Sequence, residues 1–95
     1  MTIQHAHHNN KGFFFVGEEN NRSAEMTYTM SSPNQMIIEH TEVSDALRGQ
    51  NVGYKLVDAA VEYARANDIR IIPLCPFAGA VLKKKTELQD VLANQ

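Results

Sequence analysis

The residues of this chain best suited to chemistry fall in two short stretches, Arg48–Gly53 and Leu74–Phe77, with His40 standing just upstream of the first. Arg48-Gly49-Gln50-Asn51-Val52-Gly53 fits the pattern Arg-x-x-Gly-x-Gly, with asparagine at the first glycine place. Small, permissive residues let a pyrophosphate approach the main chain closely. The N-terminus of a following helix adds a favourable partial positive charge. Asparagine tolerates left-handed backbone angles better than most residues, so it can stand in for glycine there. A plain glycine turn between a strand and a helix would read the same way.

In the second stretch, Cys75 lies between Leu74 and Pro76 and is the single cysteine of the chain. A thiolate is a nucleophile and a thiol is an acid, so one cysteine can serve acyl transfer in either form. His40 is the candidate base, since strands ending near both residues would bring an imidazole beside the thiol. The structural alternative is a satisfied sheet histidine and a small buried cysteine.

These stretches need elements to hold them. Gly12–Val16, with three consecutive phenylalanines, reads as a strand, and Gly17–Arg22 as a turn. Ser23–Met30 alternates, with Ala24, Met26, Tyr28 and Met30 on one face, so it is expected to pair with the first run as a hairpin. Ser31–Asn34 is the next turn and Gln35–Val43 the third strand, with Met36, Ile38 and His40 on one face and Ile37, Glu39 and Thr41 on the other. Residues 51–67 repeat apolar positions at helical spacing (Val52, Leu56, Ala59, Ala60, Tyr63). Arg70–Leu74 is short and β-branched, a buried strand. Strand, helix and strand predict a right-handed crossover with the two strands parallel. Pro73 has no N–H, so the parallel pair is expected to splay at its carboxyl end, where ligands of open sheets sit. Phe77–Lys85 reads as a short helix ending in lysines, and Thr86–Asp90 as a helical turn with Thr86 as its N-cap.

The whole is an α/β (α+β) chain, an antiparallel meander leading into a β-α-β unit with short C-terminal helices. Residues 1–10, with His5, His7 and His8, read as a disordered tail, and 11–95 as a single domain. A net charge of −2 supplies no basic field for nucleic acid. No apolar run approaches the ~20 residues of a membrane span, and none at the N-terminus suggests a signal peptide. A lone cysteine points to a reducing, cytoplasmic setting with a free thiol. No metal site is expected, and a polar edge strand is compatible with a monomer or a weak dimer.

Taken together, His40-Thr41-Glu42-Val43, the Arg-Gly-Gln-x-Val-Gly loop and Pro-Leu-Cys-Pro-Phe-Ala at 73–78 are far more specific than the loop alone. On these the chain, from about Phe13 to Leu92, resembles the small, minimal GNAT-type N-acetyltransferases of the YjdJ-like branch. The resemblance implies a GNAT-like fold, acetyl-CoA as co-substrate and an amine of unknown identity, small molecule or protein, as acceptor. It implies that Thr41 and Val43 meet the pantetheine arm, and that Gly49, Gln50, Asn51, Val52, Gly53 and Tyr54 cradle the pyrophosphate with Arg48 at its flank. Cys75 and Phe77 then line the acetyl end, and a lysine of 83–85, represented by Lys84, reaches the nucleotide. Larger relatives carry a C-terminal tyrosine as acid. Leu88 stands near that place here, which leaves Cys75 for the role, with His40 as base if the acetyl group passes through the sulfur. The alternative function is a non-catalytic acetyl-CoA or CoA sensor or interaction module.

Overall fold

The computed structural model describes residues 2–93. Five strands form one sheet in sequence order: β1 (Gln4–His8), β2 (Lys11–Glu18), β3 (Asn21–Ser32), β4 (Gln35–Val43) and β5 (Arg70–Pro73). The first four are antiparallel neighbours joined by tight turns, and β5 lies parallel to β4 across helix α1 (Val52–Ala66). Helix α2 (Pro76–Lys84) follows β5, and a 3-10 segment, Thr86–Val91, closes the described chain. Lys85, not Thr86, precedes that segment as its N-cap, and no side chain caps it. No helix among the described residues is long and apolar enough to cross a membrane.

The N-terminal residues differ from expectation. Gln4–His8 is no disordered tail but an edge strand, in register with β2 from Gln4↔Phe15 to His8↔Lys11. Asn9 takes the left-handed conformation (φ 58°) that a tight hairpin turn needs, and asparagine supplies it at low cost. His5 then anchors the strand. Its ring stacks on Phe14 (4.1 Å between centroids), meets Tyr63 of α1 edge-on at 4.5 Å, and its Nε2 lies 2.6 Å from the Tyr28 hydroxyl.

Both helices cover one face of the sheet. Along α1, Val52, Leu56, Val57, Ala60, Val61 and Ala64 are buried, as an amphipathic stripe predicts. They pack on Phe14, Met26, Tyr28, Met36 and Ile38, with Ala78, Val81 and Leu82 of α2 completing the core. Truncating a fully buried side chain such as Leu56 would cost about 2–5 kcal/mol. α1 ends where the Asn67 N–H and side-chain amide both donate to the Tyr63 carbonyl (3.1 and 2.8 Å). The phenylalanine run divides between the faces. Phe14 enters the helix-side core, while Phe15 is buried away from it beside Phe13 (5.2 Å). Arg22 roofs Phe13 at 3.9 Å and pairs with Glu25 at 3.4 Å.

β4 carries an irregularity near its middle. Tyr28 opposes Ile38, but Thr27 opposes His40, so Glu39 is an extra residue in β4. A bulge of this kind shifts the alternation downstream. Met36 and Ile38 face the helices as expected. Beyond Glu39, Thr41 (opposite Met26) and Val43 (opposite Ala24) take over that face. His40 is sent to the other side, opposite Thr27. The expected grouping of His40 with Met36 and Ile38, and of Thr41 with Ile37, is therefore reversed.

Candidate functional site

β5 stops at Pro73, paired with Ile38, whereas β4 runs on to Val43. The last links are made by the N–H groups of Leu74 and Cys75, both donating to the Ile38 carbonyl at 3.0 Å. From Glu39 to Val43, β4 has β3 on one side and no strand on the other among the described residues. The splay expected from Pro73 is present, and it exposes main-chain groups of β4 to an incoming ligand.

Below the splay, the chain from Ser44 to Asn51 makes a compact loop. Ser44 caps a short 3-10 turn, Asp45–Leu47, through its hydroxyl and the Ala46 N–H (3.3 Å). Gly49 has φ +81°, and a Cβ there would meet nothing within 4 Å, so conformation rather than space calls for glycine. Asn51 precedes α1 in the left-handed region (φ 58°, ψ 32°). The substitution of asparagine for the motif's first glycine is thus satisfied by backbone geometry. Asn51 makes no side-chain cap, and the first intrahelical bond is Lys55 N–H to the Asn51 carbonyl at 3.1 Å. The N–H groups of Val52, Gly53 and Tyr54 precede that bond and have no partner within the helix. No acidic residue stands in this first turn. The arrangement suits an anion.

A groove of about 340 Å³ runs from the open β4 edge to this helix end, lined by Thr41, Val43, Leu47, Arg48, Gly49, Asn51, Val52, Gly53, Tyr54 and Phe77. Arg48 flanks it, 81% exposed, with its guanidinium 2.8 Å from the Asp45 carboxylate. Gly53 lets the Phe77 ring lie against α1: a Cβ there would lie 2.5 Å from its Cζ. The Phe77 ring in turn meets Tyr54 edge-on at 5.9 Å. A second hollow, about 710 Å³, shares Asn51 and Tyr54 with the groove and is lined by Lys55, Asp58, Lys84, Lys85 and Glu87. Lys84 is among the residues there. Lys85 of the same run of lysines joins it, and so does Lys55, which no motif marks although it sits one turn into a helix whose start is legible. A hollow of about 760 Å³ at the far end of β4 and β5, lined by Ser32, Gln35, Arg70 and Asp90 among others, is larger, but it includes neither the thiol nor the α1 N-terminus. Volume does not pick out the reactive groups here.

Cys75, expected to line the acetyl end, does not line the groove but touches one of its walls through Thr41; it is 5% exposed and N-cap to α2, with Pro76 at the first helical position. Its Sγ is 3.3 Å from the Thr41 hydroxyl oxygen. Burial pushes the thiol up, but the Thr41 hydroxyl and the nearby main-chain N–H groups of Ala78, Phe77 and Thr41 favour the thiolate and outweigh it. The net effect holds Cys75 below the ordinary thiol value.

Of the expected site residues, Thr41, Val43, Arg48, Gly49, Asn51, Val52, Gly53, Tyr54 and Phe77 come together. Gln50 is set apart, since its N–H donates to the Leu47 carbonyl (3.3 Å) and it does not line the groove. His40 is not Cys75's neighbour. The bulge at Glu39 places it on the opposite face, 60% exposed, with the Glu42 carboxylate 3.9 Å away. Thr41 occupies the place expected of His40. No apolar or glycine signal marks that bulge; the only hint is that the apolar run Met36–Ile38 gives way to Glu39-His40-Thr41-Glu42.

The profile of a family described as GCN5-related N-acetyl-transferase matches residues 13–91. Among solved structures, a candidate GCN5-like N-acetyltransferase of Staphylococcus aureus, determined in solution by NMR, is 44% identical, with a TM-score of 0.75 over 97% of this chain and 89% of that one. A ribosomal-protein-alanine N-acetyltransferase of Brucella melitensis biovar Abortus 2308 shares the fold at 11% identity, with a TM-score of 0.61 over 93% of this chain and 65% of that one. Comparison with curated proteins gives no significant match.

Proposed function

The chain belongs to the GCN5-related N-acetyltransferase family, and we propose that it moves an acetyl group from acetyl-CoA to an amine. The observation that carries this reading is the continuity of three features: unpartnered N–H groups at the start of α1, the open edge of β4, and Cys75 where the strands part. A pyrophosphate fits the first, an amide-bearing pantetheine arm the second, and a thioester the third. The residues present thus suit acetyl-CoA in charge, polarity and order. Val52, Gly53 and Tyr54 hold the pyrophosphate through main chain, and Lys55, Lys84 and Lys85 attract the nucleotide's phosphate.

Acetyl-CoA supplies an activated acetyl group. The main chain at the splay stabilises negative charge developing on the carbonyl oxygen as the amine nitrogen forms its bond to the carbonyl carbon. When the carbon–sulfur bond breaks, Cys75 gives its thiol proton to the departing sulfur. A thiol more acidic than an ordinary one transfers that proton downhill. The proton released by the attacking nitrogen passes to solvent, and the Cys75 thiolate takes one back from solvent before the next turnover. With His40 on the other face, a direct transfer needs fewer groups than passage of the acetyl through Cys75.

The test is an NMR titration with acetyl-CoA, followed by product assay against small amines and peptides. Shifts confined to residues 41–54 and 75–85, with acetylated product, are expected. Cys75→Ala should bind acetyl-CoA normally and lose transfer. Undiminished turnover by that variant would remove Cys75 from the mechanism, an acetylated Cys75 in the mass spectrum would replace direct transfer, and binding without transfer to any amine would favour a CoA-binding module.

A further inference from the structure

The bulge at Glu39 has a specific chemical result. By turning β4 over, it sets a hydroxyl, not an imidazole, against the one thiol of the chain. Thr41 belongs to a strand that is otherwise open here, and Cys75 begins a helix on the other side of the splay. Their 3.3 Å contact therefore bridges the two walls of the cleft at the point where the strands part. A hydroxyl carries one proton to donate and two lone pairs to accept. It can accept from a thiol and, after rotating, donate to a thiolate. A backbone carbonyl can do only the first and a backbone N–H only the second.

We propose that Thr41 is a positioning residue for Cys75, its hydroxyl accepting from the thiol and donating to the thiolate, so that the proton leaves Sγ without the sulfur moving. The proposal rests on Cys75 being the proton donor of the transfer. During that step the Cys75 S–H bond breaks, the proton goes to the departing CoA sulfur, and the negative charge left on Sγ is met by Thr41. The N–H groups of Phe77 and Ala78 at the start of α2 also favour the thiolate, although the Cys75 side chain makes no cap hydrogen bond to them. They point along the helix, whereas Thr41 approaches from the neighbouring strand. Among the described residues, the Thr41 hydroxyl is the group that hydrogen-bonds the sulfur. The family's usual tyrosine acid has no counterpart at Leu88, which is buried. A fixed, assisted cysteine is what the arrangement offers in its place.

The closing experiment reads the thiol, not turnover. The thiolate absorbance of the free protein is followed against pH, together with the rate of alkylation by iodoacetamide at neutral pH, in wild type, Thr41→Val and Thr41→Ser. Valine keeps the volume and removes the hydroxyl, and serine keeps the hydroxyl. Thr41→Val should raise the thiol titration midpoint and slow alkylation roughly five- to tenfold, about the worth of one hydrogen bond. Thr41→Ser should restore both. Valine and wild type titrating alike would overturn the proposal, as would serine behaving like valine. If Thr41→Val does not fold, Thr41→Ala against Thr41→Ser makes the same comparison. Because no acetyl-CoA is present, failure here is distinct from failure of the transferase reading, which would show as absent acetyl-CoA binding or absent product with the thiol titrating as expected.

Discussion

Replacing Gly53 by alanine separates the groove's fit from the fold's stability. The added methyl would lie 2.5 Å from Cζ and 2.8 Å from Cε2 of Phe77. Carbon atoms settle at about 3.5–4.0 Å, so the ring must retreat by about 1 Å or more. It can do so, because Phe77 is 37% exposed and swings about its own side-chain bonds. The backbone raises no objection, since Gly53 is helical and does not have positive φ. Alanine gains up to about 1 kcal/mol over glycine in a helix. Displacing a ring from good packing costs about 1–3 kcal/mol. The two oppose, and the net change in stability should stay near or below about 2 kcal/mol. The groove fares worse, for Phe77 is one of its walls and Gly53 one of its N–H donors. We expect CoA affinity to fall about tenfold or more, equivalent to about 1.4 kcal/mol. Thermal unfolding and isothermal titration calorimetry on Gly53→Ala, Phe77→Ala and the double variant make the assay. Removing the ring removes the clash, so the double variant should bind like Phe77→Ala alone. Additive losses in that cycle, or wild-type binding by Gly53→Ala, would refute the steric argument.

Other outcomes rest on the same geometry. His40→Ala should leave the Cys75 titration and acetyl-CoA binding as in wild type; a change matching that of Thr41→Val would put His40 back beside the thiol. Asn51→Gly should fold and bind, whereas Asn51→Ala forces a left-handed alanine and should cost about 1 kcal/mol in a urea denaturation. His5 is held below the ordinary imidazole value of 6.5, first by burial and then by His7. A group depressed on folding contributes stability above its unfolded value and loses it as pH falls through the folded one. Stability should therefore decline as pH drops below about 6.5, and His5→Phe should flatten that decline; an identical pH dependence in the variant would rule it out.

Much of this architecture could be read from residue order. β4 runs from Gln35 to Val43 as expected, and α1 and β5 fall within a residue of their expected bounds. Each has a periodic apolar pattern with marked ends, and such patterns are what sequence expresses best. The site loop is legible because glycine, asparagine and arginine sit at fixed offsets. Two features are hidden. β1 is mostly polar, and its packing comes from a histidine ring whose partners lie in β2, β3 and α1. The bulge at Glu39 arises from pairing with β3, a tertiary choice that leaves β4's own composition unchanged. Its effect is disproportionate, since a single extra residue exchanges which side chain meets Cys75.

The parallel seam between β4 and β5 also sets the order in which the molecule can assemble. β1 to β4 pair with their sequence neighbours through tight turns, while β4 reaches β5 only after α1 has been spanned, Gln35 opposite Arg70. Closing that longer loop carries the larger entropic cost, so the meander should form early and the seam late. Every group proposed to handle acetyl-CoA lies on one side of this seam or the other. A ligand that grips both walls binds only the docked form and stabilises it by mass action. Amide hydrogen exchange should accordingly slow most, on adding acetyl-CoA, in β5 and α2, with the β1–β2 hairpin little affected.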